Sequence, residues 1–239
     1  MWPGRGRAQP DTEGLPAVPP DRPLSRRHLL DAASAAPGQP HPWHVLTDPQ
    51  PWSAPPLRLP EDPAAWYQLA AVGGWQTVLV DTGHAAGEDL VLAHHAGQDS
   101  VTARWCALPC AVPVWCSAAT SAGVARLLTA LSAADAAHLP LRHSIVVLAA
   151  TGDGRTPAPV RAAAAMLSSR VAAVVDLPYD PRVRSHGPVP GEKLSRRLSH
   201  SGDGLAAAVL AAAHARFGNP VPAAAQPAPI PVHPPSSSP

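Results

Sequence analysis

Asp81 closes the apolar run TVLVDT at 77–82 and is followed by Thr82 and Gly83. A carboxylate directly after a β-branched run is where phosphate-handling α/β folds hold a metal or orient a water. Asp-Thr-Gly is also good turn chemistry, because Asp bonds the backbone two residues on and Gly accepts a positive φ. Both readings stay open at this point. Four other stretches follow apolar runs in the same way: His94-His95, Ser117–Thr120, Thr151–Arg155 and Pro178–Asp180. In an open parallel sheet all five would gather at the carboxyl ends of the strands, where the ligand crevice lies.

The remaining chemistry-bearing residues form weaker patterns. The phosphate loop G-x-x-x-x-G-K-[ST] is absent. The nearest approach, GPVPGEKLS, puts a glutamate between Gly191 and Lys193, and Lys193 is the only lysine of the chain. Cys106, Cys110 and Cys116 lack the C-x2-C spacing of a zinc knuckle, so they are expected as buried core thiols. His94 and His95, with His84, are candidate metal ligands. On a strand, neighbours point opposite ways, so at most one of the pair would serve. Neither G-x-S-x-G nor H-E-x-x-H occurs. Arg182, Arg184, Arg196 and Arg197 have the chemistry to contact a phosphate backbone. Only Tyr179 lies near them in sequence, so base stacking, and with it nucleic-acid binding, is unsupported.

The elements that must position these residues occupy the middle of the chain. Of 239 residues, 32 are proline and 17 glycine, and the prolines crowd at both ends. Hydrophobic residues make up 46% and charged residues 15%, so the centre can bury a core. A net charge of +1 excludes a generally basic nucleic-acid coat and an acidic solvating tail. The balance is uneven along the chain. Residues 41–140 carry 3 arginines against 8 acids, whereas 141–217 carry 10 basic residues against 5 acids. Oppositely charged halves can pair internally or dock a partner head to tail. The odd cysteine count and an N-terminus without an apolar signal core predict a reduced, cytoplasmic protein. No stretch approaches the ~18–20 apolar residues of a membrane span.

Three regions follow. Residues 1–41 read as a flexible Pro/Arg/Gly-rich arm with at most a short helix over Ser25–Ala36. Residues 42–218 read as an α/β domain, and 219–239 as a disordered Pro-rich tail. Within the domain, Trp43–Thr47 is a short apolar run. Asp62, Pro63 and Gly73-Gly74 mark the start and stop of a helix. Residues 77–82 predict a strand and 89–95 form another apolar run. A helix is expected over 98–108, a strand over 112–118 and a helix capped by Ser121. Val124, Leu127, Leu128 and Leu131 give that helix its apolar stripe. Strands over 144–150 and 171–178 flank a helix opened by Thr156-Pro157 and running to about Arg170. A final helix spans Asp203 to Phe217. Continuous apolar strands alternating with helices predict a mostly parallel, doubly wound α/β sheet.

The order of these pieces resembles the MinD/ParA family of deviant Walker ATPases. GGWQTVLVDTG at 73–83 resembles its hydrophobic run ending in Asp-Thr. DLVLAHHAGQDSVTA at 89–103 is similar to its next strand and helix start. SIVVLAATGDGR at 144–155 is similar to the strand leading to its base-reading loop, and VAAVVDLPYDPRVRSHG at 171–187 to the following strand and Pro-Tyr-Asp loop. The resemblance covers roughly residues 43–217. It implies a P-loop NTPase-like fold, ATP with magnesium, and a dimer that positions cellular cargo. Matched position by position, Asp81 falls at the carboxylate near magnesium and the attacking water, with Thr82 and Gly83 beside it. Thr151 falls where the family often has an adenine-reading Asn, and Pro178, Tyr179 and Asp180 in the loop near the base. The first strand, the Gly-rich loop and its lysines have no counterpart. The family's membrane-targeting amphipathic helix has none either. The expectation is therefore a truncated or degenerate, non-hydrolysing member. It would act in intracellular positioning or regulation through a protein partner, an intact family member or a second copy. Two alternatives stand beside it: an ATP-binding protein or weak ATPase completed in trans by a partner's P-loop, and an unrelated α/β enzyme using Asp81 with His94 or His95.

Overall fold

Local signals fix the first elements. Helix α1 (Arg26–Ala32) begins behind Ser25, whose hydroxyl accepts the His28 N–H. Strands β1 (Ser34–Ala35) and β2 (His44–Val45) pair antiparallel. Helix α2 (Pro63–Gly73) has Asp62 as its cap, Pro63 in its first turn and Gly74 at φ 64° after its last. These are the expected start and stop signals. Leu29 and Ala32 of α1 are buried, and α1 packs on α2. The coordinates are a computed structural model that describes residues 23–35, 43–46, 62–82, 85–187 and 194–219.

Two apolar runs differ from expectation. Residues 77–82 form no strand. A strand exists only where a neighbour takes its hydrogen bonds, and no described strand pairs with this run. Its Val78, Val80 and especially Leu79, 90% accessible, are exposed. Residues 89–95 lie inside helix α3 (Ala86–Ala96), not in a strand. Glu88 and Asp89 in its first turn and His94 and His95 in its last complement the helix dipole, and Gly97 at φ 63° ends it. Only Leu90 of this helix is buried, so the apolar run overstated its burial. Helix α4 (Val101–Cys106) follows, capped by Ser100.

The centre is a three-stranded parallel sheet. Strand β3 (Val114–Ala118) leads through α5 (Ser121–Ala136) and a 3-10 turn (Leu141–His143) to β4 (Ile145–Ala149). Helix α6 (Ala158–Leu167) leads on to β5 (Ala173–Leu177), followed by α7 (Pro181–His186) and α8 (Arg196–Phe217). The strand order is β3-β4-β5, with Val114 beside Ile145 and Ile145 beside Ala173. Thr120, one residue before the expected Ser121, caps α5. Helix α8 starts seven residues earlier than expected, because Ser195 caps it and Gly202 and Gly204 are carried within it.

Both faces of β4 are covered. Trp115, Val146 and Leu148 pack with Val124, Leu127 and Leu131 of α5 and with Val160 and Leu167 of α6. Ile145 and Val147 pack on the other face with Leu205, Ala208, Val209 and Ala212 of α8. That is why 145–148 is apolar without alternation. The sequential order shows no reversal, so the switch point of a doubly wound sheet is not among the described strands. The α/β class with a parallel sheet stands.

Candidate functional site

The carboxyl ends of β3, β4 and β5 bring 117–120, 151–155 and 178–180 to one rim of the sheet. At the first, the chain turns tightly into α5. Ala119 N–H bonds the Ala149 carbonyl at 2.7 Å and Thr120 N–H the Ala118 carbonyl at 2.8 Å. The Thr120 hydroxyl accepts the Gly123 N–H at 3.0 Å. A Cβ at Gly123 would lie 2.3 Å from the Ala118 carbonyl oxygen. The sequence reading passed over this glycine, whose only signal is its place six residues after Ser117 in a strand-to-helix turn.

At the second, Ala150 N–H bonds the Leu177 carbonyl at 2.9 Å, and Thr151 to Arg155 are exposed. At the third, Pro178 and Tyr179 are half-buried and Asp180 is buried. The Asp180 carboxylate accepts the N–H groups of Arg182 at 2.9 Å and Val183 at 3.3 Å, which caps α7. A hydrogen bond from the Ser195 side chain, aided by these backbone N–H groups, holds its carboxyl below the usual value of 3.8. The Ser195 oxygen in turn accepts the Leu198 N–H at 3.3 Å. Asp180 therefore ties the start of α7 to the start of α8.

Asp81 and Thr82 are exposed and belong to no strand. Asp81 lies near enough to Cys116 to raise its thiol pKa, second to burial as the cause. Gly83, His84 and Lys193 lie outside the described residues. His94 and His95 are exposed in the last turn of α3, ring centroids 6.0 Å apart. No group of three His, Cys, Asp or Glu side chains is placed to hold a metal among the described residues. Of the cysteines only Cys106 is buried, correcting the expectation of three core thiols. Burial pushes its pKa to about 11, and Arg216 opposes that only in part. Cys110 and Cys116 are exposed because one follows α4 in a turn at φ 61° and the other lies on a strand face that α8 does not reach over.

Asp89 is a second residue whose role the sequence hid. Its carboxylate accepts the N–H groups of Val101 at 3.3 Å and Thr102 at 2.7 Å, and the Thr102 hydroxyl at 2.7 Å. It fastens α4 to α3. The pattern Ser-Val-Thr at 100–102 marks a helix start, but nothing in the sequence pairs it with a carboxylate twelve residues upstream.

A magnesium nucleotide needs a cradle of free N–H groups, a cation and an oxygen ligand set. The described rim does not fit it. The Gly123 N–H is taken by Thr120, the Asp180 oxygens serve α7 and Ser195, and Asp81 belongs to no group of three metal-holding side chains among the described residues. No helix among the described residues is long and apolar enough to cross a membrane. No known protein-family model matches the chain, and no curated protein or solved structure matches it.

Proposed function

We propose that this chain is a degenerate relative of the MinD/ParA ATPases. It acts in the cytoplasm by contacting other proteins and does not hydrolyse ATP. One observation carries the reading: Thr120 and Asp180 at the carboxyl rim are engaged at helix starts instead of facing a ligand. Strands β4 and β5 fall in the order of the last two segments of the resemblance, whereas 77–82 is no strand and 89–95 is helical. An incomplete P-loop-like sheet is the finer fold that goes with this proposal.

A second reading, completion in trans by a partner's phosphate loop, is favoured by one feature. The side of β3 away from β4 has no described strand on it, so a strand and its loop have a place to enter.

Calorimetry with ATP and ADP on the full chain, with and without magnesium, separates these readings. No binding and no turnover are expected. Micromolar, magnesium-dependent binding that is lost in Asp81→Ala overturns the non-hydrolysing reading. Binding that arises only when an intact family member is added supports completion in trans.

A further inference from the structure

Strand β3 lies at the edge of the sheet. Ile145 N–H bonds the Pro113 carbonyl, and Ala119 N–H the Ala149 carbonyl. In a parallel ladder this assigns the odd residues of β3 to β4 and turns the backbone of Val114, Cys116 and Ala118 outward. The Ala118 carbonyl is taken by Thr120 N–H. The other outward groups of these three residues meet no backbone partner among the described residues. Their side chains are exposed as well. A parallel sheet is normally closed on both faces, and an open edge is a template for another strand.

A second feature of the same chain lacks what β3 lacks. The run Thr77–Val80 is β-branched and apolar, free of proline, exposed, and unpaired. Its end approaches the middle of β3, since the charge of Asp81 reaches Cys116. Yet no backbone bond joins Thr77–Val80 to β3 among the described residues.

Outside the described residues the sequence offers no other run of this composition. Residues 1–22, 36–42, 47–61 and 220–239 are broken by proline so often that no proline-free stretch exceeds six residues. The longest, GRGRAQ, is polar. Proline is excluded from the interior of a sheet because it cannot donate to the ladder.

We propose that two copies of this chain pair reciprocally, the run Thr77–Val80 of each adding as a strand to the open β3 edge of the other. Each copy gives one strand and receives one, so the contact is two-fold and closes. The main chain supplies the hydrogen bonds. Leu79, whose neighbours Val78 and Val80 point to the opposite face, then meets Val114, Cys116 and Ala118 of the second copy out of water.

Sedimentation of the full chain from about 1 to 100 μM tests this. Wild type is expected to be dimeric at the upper end. Leu79→Lys should be monomeric there with an unchanged melting temperature, since that side chain is 90% accessible in the single copy. A second measurement fixes the register. In a Cys110→Ser background, Leu79→Cys in a tagged copy is oxidised with an untagged copy that keeps Cys116. A tagged–untagged cross-link is expected. A monomer at every concentration overturns the proposal and leaves the edge to a different protein. A dimer that survives Leu79→Lys, or a cross-link confined to single chains, overturns it too.

Discussion

Gly123→Ala probes the turn that brings β3 into α5. The added Cβ would lie 2.3 Å from the Ala118 carbonyl oxygen, 3.0 Å from Ser117 Oγ and 3.1 Å from Thr120 Oγ1. The first contact is with backbone, and Ala118 cannot swing away as a side chain can. Its carbonyl accepts Thr120 N–H, and the next residue, Ala119, bonds Ala149 across the sheet. Opening the turn by nearly an ångström therefore strains two backbone hydrogen bonds. Overpacking of this kind costs about 1–3 kcal/mol, and the weakened bonds add up to about 1 kcal/mol each. Alanine returns up to about 1 kcal/mol because it is the better helix former. The net loss is about 2 kcal/mol, a fall in Tm of about 4–8 °C for a folded region of this size. Gly202→Ala is the matched control. Gly202 is helical, and nothing lies within 4 Å of its Cβ position. That substitution should stabilise by about 0.5–1 kcal/mol. Thermal melts followed by circular dichroism compare the two. If Gly123→Ala melts at or above wild type, the turn is not closed by that glycine and the account of this rim is wrong.

Asp180 predicts an acid effect of definite sign. Its folded pKa is lowered by Ser195 and the α7 N–H groups, so its stabilisation is present above the unfolded pKa near 3.8 and is lost as pH falls through the folded value. Wild type should lose more of its melting temperature below pH 4 than Asp180→Asn does, and equal losses refute the clamp. Cys106 predicts the opposite end. Burial raises its pKa from 9.0 to about 11, so its contribution is complete below pH 9 and is lost, by about 2–3 kcal/mol at most, as pH rises toward 11. Cys106→Val should flatten that alkaline limb of the melting curve. In native wild type at pH 8 an aromatic disulfide reagent should label Cys110 fast and Cys106 only on unfolding. Asp89→Ala should cost about 1–3 kcal/mol, because the N–H groups of Val101 and Thr102 at the start of α4 lose their acceptor. Far-UV spectra with an unchanged urea midpoint would refute that role.

The elements legible in the sequence are those with two signals at once. Helix α2 had a cap, a first-turn proline and a terminal glycine, and all three act as expected. Strand β4 had an unbroken apolar run, and the core on both of its faces is the cause. The run 89–95 had apolar content alone. Charges at both of its ends, acidic before and histidine after, were the better guide, because the helix dipole rewards that order. The run 77–82 is the harder case. Its composition is that of a strand, yet a strand needs a neighbour, and nothing within a single run of sequence states whether one is present.

The candidate site shows the same limit for a different reason. The residue types at the strand ends were correct for ligand chemistry, and the sheet does bring 117–120, 151–155 and 178–180 to one rim. The identical residue types are what a chain needs to start a helix just there. Thr120 accepts the N–H three residues on and Asp180 those two and three residues on, so the oxygen a phosphate or metal would use is already engaged. Sequence gives the residue and its neighbours but not the direction of its lone pairs. Asp81 differs in its place: it ends a run that has no strand neighbour among the described residues. Whatever supplies that neighbour therefore also sets what surrounds Asp81, so strand pairing and the chemistry of this carboxylate are tied together. A strand added at β3 should shift the reactivity of Cys116 as well, since its thiol is raised by burial and by Asp81. Labelling of Cys116 that slows as protein concentration rises, while Cys110 keeps its rate, is the expected outcome. Equal rates at every concentration would separate Asp81 and Cys116 from any pairing event.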